Sequence, residues 1–388
     1  MMRILRRCLL RTEECKACLE LLTGYEAAMT KTQDLREYHA YLYQLQSAAR
    51  EIANGHRVTA CCRVAVPGRQ VEVWANAKIQ RARYRNVIRC ADVWVCPVCA
   101  NHVTAERRDD LRRVVKTLRP KSIVMMVSFT VRHQRTSKLF DTLRTLLDAW
   151  RLMTTRRAWD RVRSECIGYV KALEVTWGDA SGWHPHLHVL FAWKPTADPL
   201  VEYARIKGDW QTFVAAAGGD SDVAVATRMT LDYENIDLYL TKWGLPEEMT
   251  RGSLSKQRRD GGLTPFNILD EYITYCAADE YPPSRSPAFL ALLYREYMNA
   301  MRGKRQLTWS RQPNIRAEAG IGEEKPEAEI VIGESAGYVL LARLTPCQWA
   351  AIIKNGMRGA LLDLAAVGDV GAMDDMIASA ELAEATKT

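Results

Sequence analysis

The sequence predicts an α+β protein whose centre is an antiparallel sheet with helices on one face. Two patterns carry that expectation. Between residues 122 and 243, short segments rich in apolar and β-branched residues alternate with longer ones whose apolar positions recur at helical spacing. Their order is strand, helix, strand, strand, helix, strand, helix. The two middle strands are joined by the turn-rich GDASGW, which makes them a hairpin. A β-α-β-β-α-β-α succession around a hairpin is the order of a ferredoxin-like sheet.

Taken in order, residues 1–55 read as a helical segment: Leu9, Cys15, Leu19, Leu22, Tyr41, Leu42, Leu45 and Ala49 recur at helical spacing among charges. Residues 56–118 begin β-like (VEVW, 71–74), are punctuated by cysteines, and end in the basic helix AERRDDLRRVVKTL at 105–118. The core, 119–250, holds a strand at Ser122–Val131, a helix at Leu139–Arg161 and the hairpin strands Ile167–Trp177 and His184–Trp193. A helix at Pro199–Ala217, a short strand near Val223–Ala226 and a helix from about Thr230 to Trp243 complete it. Residues 251–316 read as a basic extension, loop-rich to 287, then helical over 287–302, then GKRQLTWSRQPNIR. Residues 317–334 look like an acidic linker, and 335–388 like a small helical tail containing the strand-like YVLLARL.

A chain of 388 residues has room for two or three domains. With 48% hydrophobic and 26% charged residues it has the balance of a folded soluble protein. The longest nearly uncharged apolar run, Ser122–Val131, is ten residues, against the roughly 20 of a membrane span. The opening MMRILRRCLLRTEECK has its apolar stretch broken by arginines, unlike a secretory signal. A cytoplasmic protein is expected, and its eleven cysteines then read as reduced thiols, some of them metal ligands, rather than a disulfide framework. The net charge of +8 is unevenly spread: residues 317–388 carry five bases and twelve acids, which leaves +15 on residues 1–316. A basic body attracts a polyanion, most commonly nucleic acid.

The sharpest local feature is HPHLHVLF at 184–191. Alternate side chains of a strand share a face, so His186 and His188 project together. An even-sum register in the hairpin, such as 174 opposite 188, adds Glu174 to that face, whereas a slip of one residue would turn it away. Two imidazoles and a carboxylate form a three-point metal site with open coordination positions, as a catalytic ion needs. The second feature is Cys96-Pro-Val-Cys99, a zinc-knuckle spacing, with Cys90 as a third thiolate. The fourth ligand is open among Cys61, Cys62 and His102, and Cys62 is adopted. Such a closed site would bind Zn²⁺ structurally, tying a segment with little core of its own. Cys15 and Cys18 also have the spacing, but i,i+3 thiols in a helical pattern are usually core.

The motifs together resemble the HUH endonucleases, and within them the rolling-circle plasmid replication initiators. SFTV (128–131) is similar to the first motif of that group, GYVKALEVTWG (168–178) to the strand preceding its histidine motif, and HPHLH to the histidine motif itself. CADVWVCPVCA (90–100) resembles its cysteine signature, YLTKW (239–243) its nucleophile motif, and GKRQLTWS (303–310) a segment near the end of its shared body. The resemblance spans about residues 60–315. It implies that Tyr239 attacks a DNA phosphodiester, leaving a 5′-phosphotyrosine and a free 3′-hydroxyl primer, and that the strand is later rejoined. Lys242, one turn on, would stabilise phenolate or phosphate, and the cation at His186, His188 and Glu174 would be Mg²⁺ or Mn²⁺.

The sequence departs from its relatives at two points. A second tyrosine in some relatives lies four residues from the first; here Tyr233 is six away, about 240° around the helix. Others place a terminating glutamate four residues before the tyrosine, where this chain has Asn235; Glu234 is the candidate instead. DNA contacts are expected from Arg107, Arg108 and Arg112 on the basic helix and from Lys304 and Arg305, with a base stacked on Trp309. The implied partners are origin DNA, single-stranded at the nick, and a host helicase with other replication proteins. Competing readings are an HUH transposase or relaxase, a non-catalytic zinc-stabilised DNA-binding regulator, and a metallohydrolase using the HxH pair without Tyr239.

Overall fold

A computed structural model describes residues 38–220, 227–230, 262–333 and 337–386. In chain order the elements are α1 (Tyr38–Ile52), β1 (Val71–Asn76), β2 (Arg81–Arg85), α2 (Pro97–Leu118), β3 (Ile123–Thr130), α3 (Leu139–Thr155), α4 (Asp160–Glu165), β4 (Cys166–Gly178), β5 (Gly182–Trp193), α5 (Pro199–Ala216) and β6 (Thr227–Thr230). Then come α6 (Pro265–Ala277), α7 (Pro287–Met301), β7 (Leu307–Trp309), α8 (Ile315–Glu318), α9 (Glu327–Ile332), β8 (Val339–Leu344), α10 (Pro346–Lys354), α11 (Arg358–Val367) and α12 (Val370–Ala385). The class is α+β with antiparallel sheets, and no described helix is long and apolar enough to cross a membrane.

The larger sheet has the order β6-β3-β5-β4-β7, with every neighbouring pair antiparallel. Its two faces follow from the two-residue period of a strand. On one face Phe129 pairs with Leu187, and Val189 and Phe191 continue the row. Helices α3 and α5 cover this side because each presents an apolar stripe. Leu139, Leu143, Leu146, Trp150 and Met153 of α3 are buried at helical spacing, as are Ile206, Trp210 and Val214 of α5. The Phe129 ring meets Trp150 and Trp210 edge-on, at centroid distances of 5.5 and 4.9 Å. Each large side chain buried here contributes about 1.5–3 kcal/mol. The opposite face presents Ser128, Glu174, His186 and His188.

A smaller sheet, β2-β1-β8, joins the two ends of the described chain. Here α1 lies against α11 at a point where a Cβ on Gly359 would come within 2.4 Å of the Ala40 Cα. The carboxylate of Asp363 in α11 accepts from the backbone N–H groups of His39 and Ala40 at 2.8 Å each. The segment expected as a small helical tail therefore supplies a strand and these hydrogen bonds to the N-terminal part.

Several expected boundaries shift. The helix from 105 begins at Pro97, because proline at the first helical position has its φ preset and no N–H to satisfy. The helix from Leu139 ends at Thr155 rather than Arg161 and is followed by a short turn and α4. The strand expected near Val223–Ala226 lies outside the described residues, which show a strand at Thr227–Thr230, and the helix expected from about Thr230 to Trp243 lies outside them beyond Thr230. The loop-rich reading of 251–287 is corrected by α6, which starts at a capping box between Thr264 and Asn267. The acidic stretch at 317–334 contains the end of α8 and all of α9. It is docked on α2 with Ile330 and Val331 buried, because Glu324 and Glu327 pair with Arg107 there.

Gly359→Ala should destabilise the fold by about 1–3 kcal/mol through overpacking of α1 on α11, seen as a lower urea midpoint with an unchanged slope.

Candidate metal centres and nucleic-acid interface

The hairpin sets the first centre. Its register places Glu174 opposite His186 and Ala172 opposite His188, two residues from the expected 174–188 pairing. Parity is what decides the face, and parity is kept. Glu174 Oε2 lies 2.9 Å from His186 Nε2 and 3.0 Å from His188 Nε2. All three groups are buried, at 5%, 7% and 5% exposure in that order. On the neighbouring strand, Ser128 Oγ lies 2.7 Å from His188 Nδ1, which turns the other ring nitrogen toward Glu174. His186 Nδ1 faces the His184 carbonyl at 3.3 Å, with the same result. Burial alone would raise the Glu174 carboxyl, but the His186 charge and both imidazole hydrogen bonds hold it well below the usual carboxylate range. These donor atoms lie within 4.8 Å of one another. Two nitrogens, each steered from behind, and a carboxylate oxygen converge on one point and fit a divalent cation with positions left open.

The second centre is a knot of four thiols, Cys61, Cys90, Cys96 and Cys99, all buried. Cys96 caps α2 and Cys99 lies in its first turn; Cys61 and Cys90 come from loops flanking the small sheet. Tetrahedral zinc at about 2.3 Å from each sulfur requires sulfurs about 3.8 Å apart. The separations here are 3.7 Å for Cys61–Cys96, 3.5 Å for Cys61–Cys99 and 3.7 Å for Cys90–Cys99. Burial, reinforced by Cys61, pushes the Cys96 thiol well above its ordinary range, and contact with Cys61 does the same to Cys90 and Cys99. Cys61, hydrogen-bonded by Cys62 and then by the other thiols, falls well below. Four sulfurs so close cannot all ionise without a cation; a divalent ion would hold them as thiolates. Gln46 of α1 donates to Cys96 Sγ at 3.3 Å.

Cys62, adopted as the fourth ligand, is corrected to Cys61. Cys62 has φ +53°, its N–H donates to the Ile88 carbonyl, and its sulfur accepts from Arg89 at 2.9 Å. Its sulfur lies 3.7 Å from that of Cys61 but outside the four-thiol group, a distinction that residue spacing does not reveal. His102 also stays outside the four-thiol group; burial and then nearby arginines push its pKa down to about 3.

The expected DNA contacts divide. Arg107 is buried, 5% exposed, and bound to Glu327 at 2.8 Å and Glu324 at 3.4 Å, so it is structural. Trp309 is 7% exposed with the Arg316 guanidinium 4.9 Å from its ring, which removes it as a stacking platform for a base. Arg108 is half-buried, and Arg112 is exposed beside Asp109. Lys304 is half-buried and Arg305 exposed. Tyr239, Lys242 and Glu234 lie outside the described residues, as do Cys15 and Cys18. The supporting roles of Ser128 and Gln46 were missed, since a partner on another strand or helix leaves no local pattern.

Residues 81–199 match the profile of a family described as "Replication protein". That span contains Cys90, Cys96, Cys99, Glu174, His186 and His188. The chain is also 25% identical over 341 residues to "Protein rep" of Streptomyces lividans, covering 70% of this chain and 74% of that protein. A shorter match, 31% identical over 145 residues, is to "Neomycin resistance protein" of Streptomyces cyanogenus, covering 30% of this chain and 33% of that one. No solved structure matches the chain significantly. The proteins these comparisons bring together are replication proteins, and residues 81–199 are similar to that family. The resemblance to plasmid replication initiators that the motifs suggest is thereby supported.

Cys61→Ser should lose the tightly held metal, measured as zinc per chain by plasma mass spectrometry, while Cys62→Ser retains it. Ser128→Ala should weaken Mn²⁺ binding at the histidine centre by about 10-fold or more, measured by calorimetry, with the zinc content unchanged.

Proposed function

We propose that the protein is a rolling-circle replication initiator of the HUH type, nicking and rejoining one strand of origin DNA. The observation that carries the reading is the convergence of Glu174, His186 and His188 on one sheet face, inside a replication-protein domain. The strand order supports it: β6-β3-β5-β4 with a β-α-β-β-α-β connection is a ferredoxin-like sheet, extended at its edge by β7. The donor set suits Mg²⁺ or Mn²⁺ at the histidine centre, and Zn²⁺ at the four thiols.

In this mechanism the Tyr239 phenol oxygen attacks the phosphorus of a phosphodiester. A bond forms between that oxygen and phosphorus, and the bond from phosphorus to the 3′-oxygen breaks. The phenolic proton leaves the tyrosine and the 3′-oxygen gains one, so the products are a 5′-phosphotyrosine and a free 3′-hydroxyl. A phenolate is a fair leaving group, so the linkage conserves the bond energy and the reverse attack rejoins the strand. Lys242 offsets charge on phenolate or phosphate, and Glu234 is the candidate base for the terminating step. When bound, a divalent cation polarises a non-bridging phosphate oxygen and lowers the barrier to in-line attack. Glu174, His186 and His188 would hold it, with Ser128 fixing the His188 ring.

The test is a covalent adduct. Full-length protein incubated with labelled single-stranded origin DNA and Mg²⁺ or Mn²⁺ should give a shifted band on a denaturing gel. Tyr239→Phe should abolish it, and His188→Ala should slow it by at least about 10²-fold. An adduct surviving Tyr239→Phe assigns the chemistry to another residue. Tight DNA binding with no adduct under either metal would instead mean a non-catalytic regulator.

A further inference from the structure

A cavity of about 830 Å³ opens beside the edge strand β7, between the Asp92–Val95 loop and the segment that follows α7. Its carboxylates are largely spoken for. Asp92 is paired with His56 and Arg57, and Glu324 and Glu327 with Arg107. Glu323 alone among them has no cation partner among the described residues. Against it stand Arg302, Lys304, Arg305 and Arg311, none of which has a carboxylate partner among the described residues. Unlike Arg107, the three arginines are exposed. Four uncompensated cations around one concave surface make a site for a polyanion.

The same loop leads to the histidine centre. Val93 and Trp94 wall this groove and also border the crevice lined by Glu174 and Gln306. The groove's two tryptophans, Trp94 and Trp309, are each 7% exposed, and Trp94 donates to the Lys304 carbonyl at 2.7 Å. They offer no open ring for an unpaired base, so the groove grips phosphates without stacking bases.

We propose that this groove is a second nucleic-acid site, in which Arg302, Lys304, Arg305 and Arg311 hold the backbone of duplex DNA alongside the histidine centre. That DNA is the polyanion rests on the replication-protein similarity and not on the tyrosine chemistry.

The experiment is fluorescence anisotropy with full-length, zinc-loaded protein and no added divalent cation. The probes are a labelled duplex of about 30 base pairs of arbitrary sequence and its single strand, each titrated between about 50 and 200 mM salt. The triple variant R302A/R305A/R311A should bind duplex at least about 10-fold more weakly. Its plot of log affinity against log salt should be shallower by about 0.9 per cation removed, or roughly 2–3 in all. The charge-conserving R302K/R305K/R311K should keep the native slope, and R144A/R151A/R157A, on the helical layer, should change neither value. An unchanged duplex slope in the alanine variant would overturn the proposal. So would a loss confined to the single strand, which would assign the groove to unpaired DNA. Tyr239→Phe should bind duplex with the native slope, so a missing adduct beside intact binding counts only against the nicking chemistry.

Discussion

The register of one hairpin holds the candidate chemistry in place. Side chains in a strand alternate with a period of two, so a slip of one residue between β4 and β5 would turn Glu174 from the histidine face to the helix-covered face. The turn pins that register. Gly178 pairs with Gly182, and Gly182 sits at φ +70° with a Cβ position 2.3 Å from the Arg135 carbonyl oxygen. No other residue fits there without moving backbone. Beyond the turn, Trp177 faces Trp183, and burial on both faces penalises any shift. A carboxylate and two imidazoles are thereby kept in a buried cluster whose members would each be costly alone.

The thiol knot plays a comparable part for the chain ends. It gathers loops at Cys61 and Cys90 and the N-terminus of α2 around one point, and Gln46 of α1 reaches it directly. Arg358 at the start of α11 donates to Gln46 and to the Cys62 carbonyl, linking the last helices to the same place. A segment with only two short strands gains a fixed geometry from such a clasp. That geometry also orients α2 and the Asp92–Val95 loop, which walls the basic groove.

Charge is distributed with the same economy. Acids at 318–329 look solvated in sequence, yet Glu324 and Glu327 neutralise Arg107, and Asp110 pairs with Arg316 across the α2 surface. Arginines that read as a uniform basic stripe thus separate into those that bind the protein's own acids and those left facing solvent. The second set, clustered after α7, gives the positive body a direction.

Much was legible from residues alone. The two-residue and 3.6-residue periods located β3, α3, β4, β5 and α5 to within a few positions at most ends, because burial of one face imposes those periods on the chain. The same alternation put His186 and His188 on one face, and clustering of cysteines marked the second centre. The alternatives left by local pattern were decided by contacts between distant segments. Cys61 joins the other three thiols while the Cys62 sulfur is held by Arg89, and Ser128 supports His188 because β3 lies beside β5. β8 pairs with β1 across more than half of the chain, and Trp309 is closed off by Arg316. Sequence period reports which side of an element is buried; what lies against that side depends on the path of the whole chain.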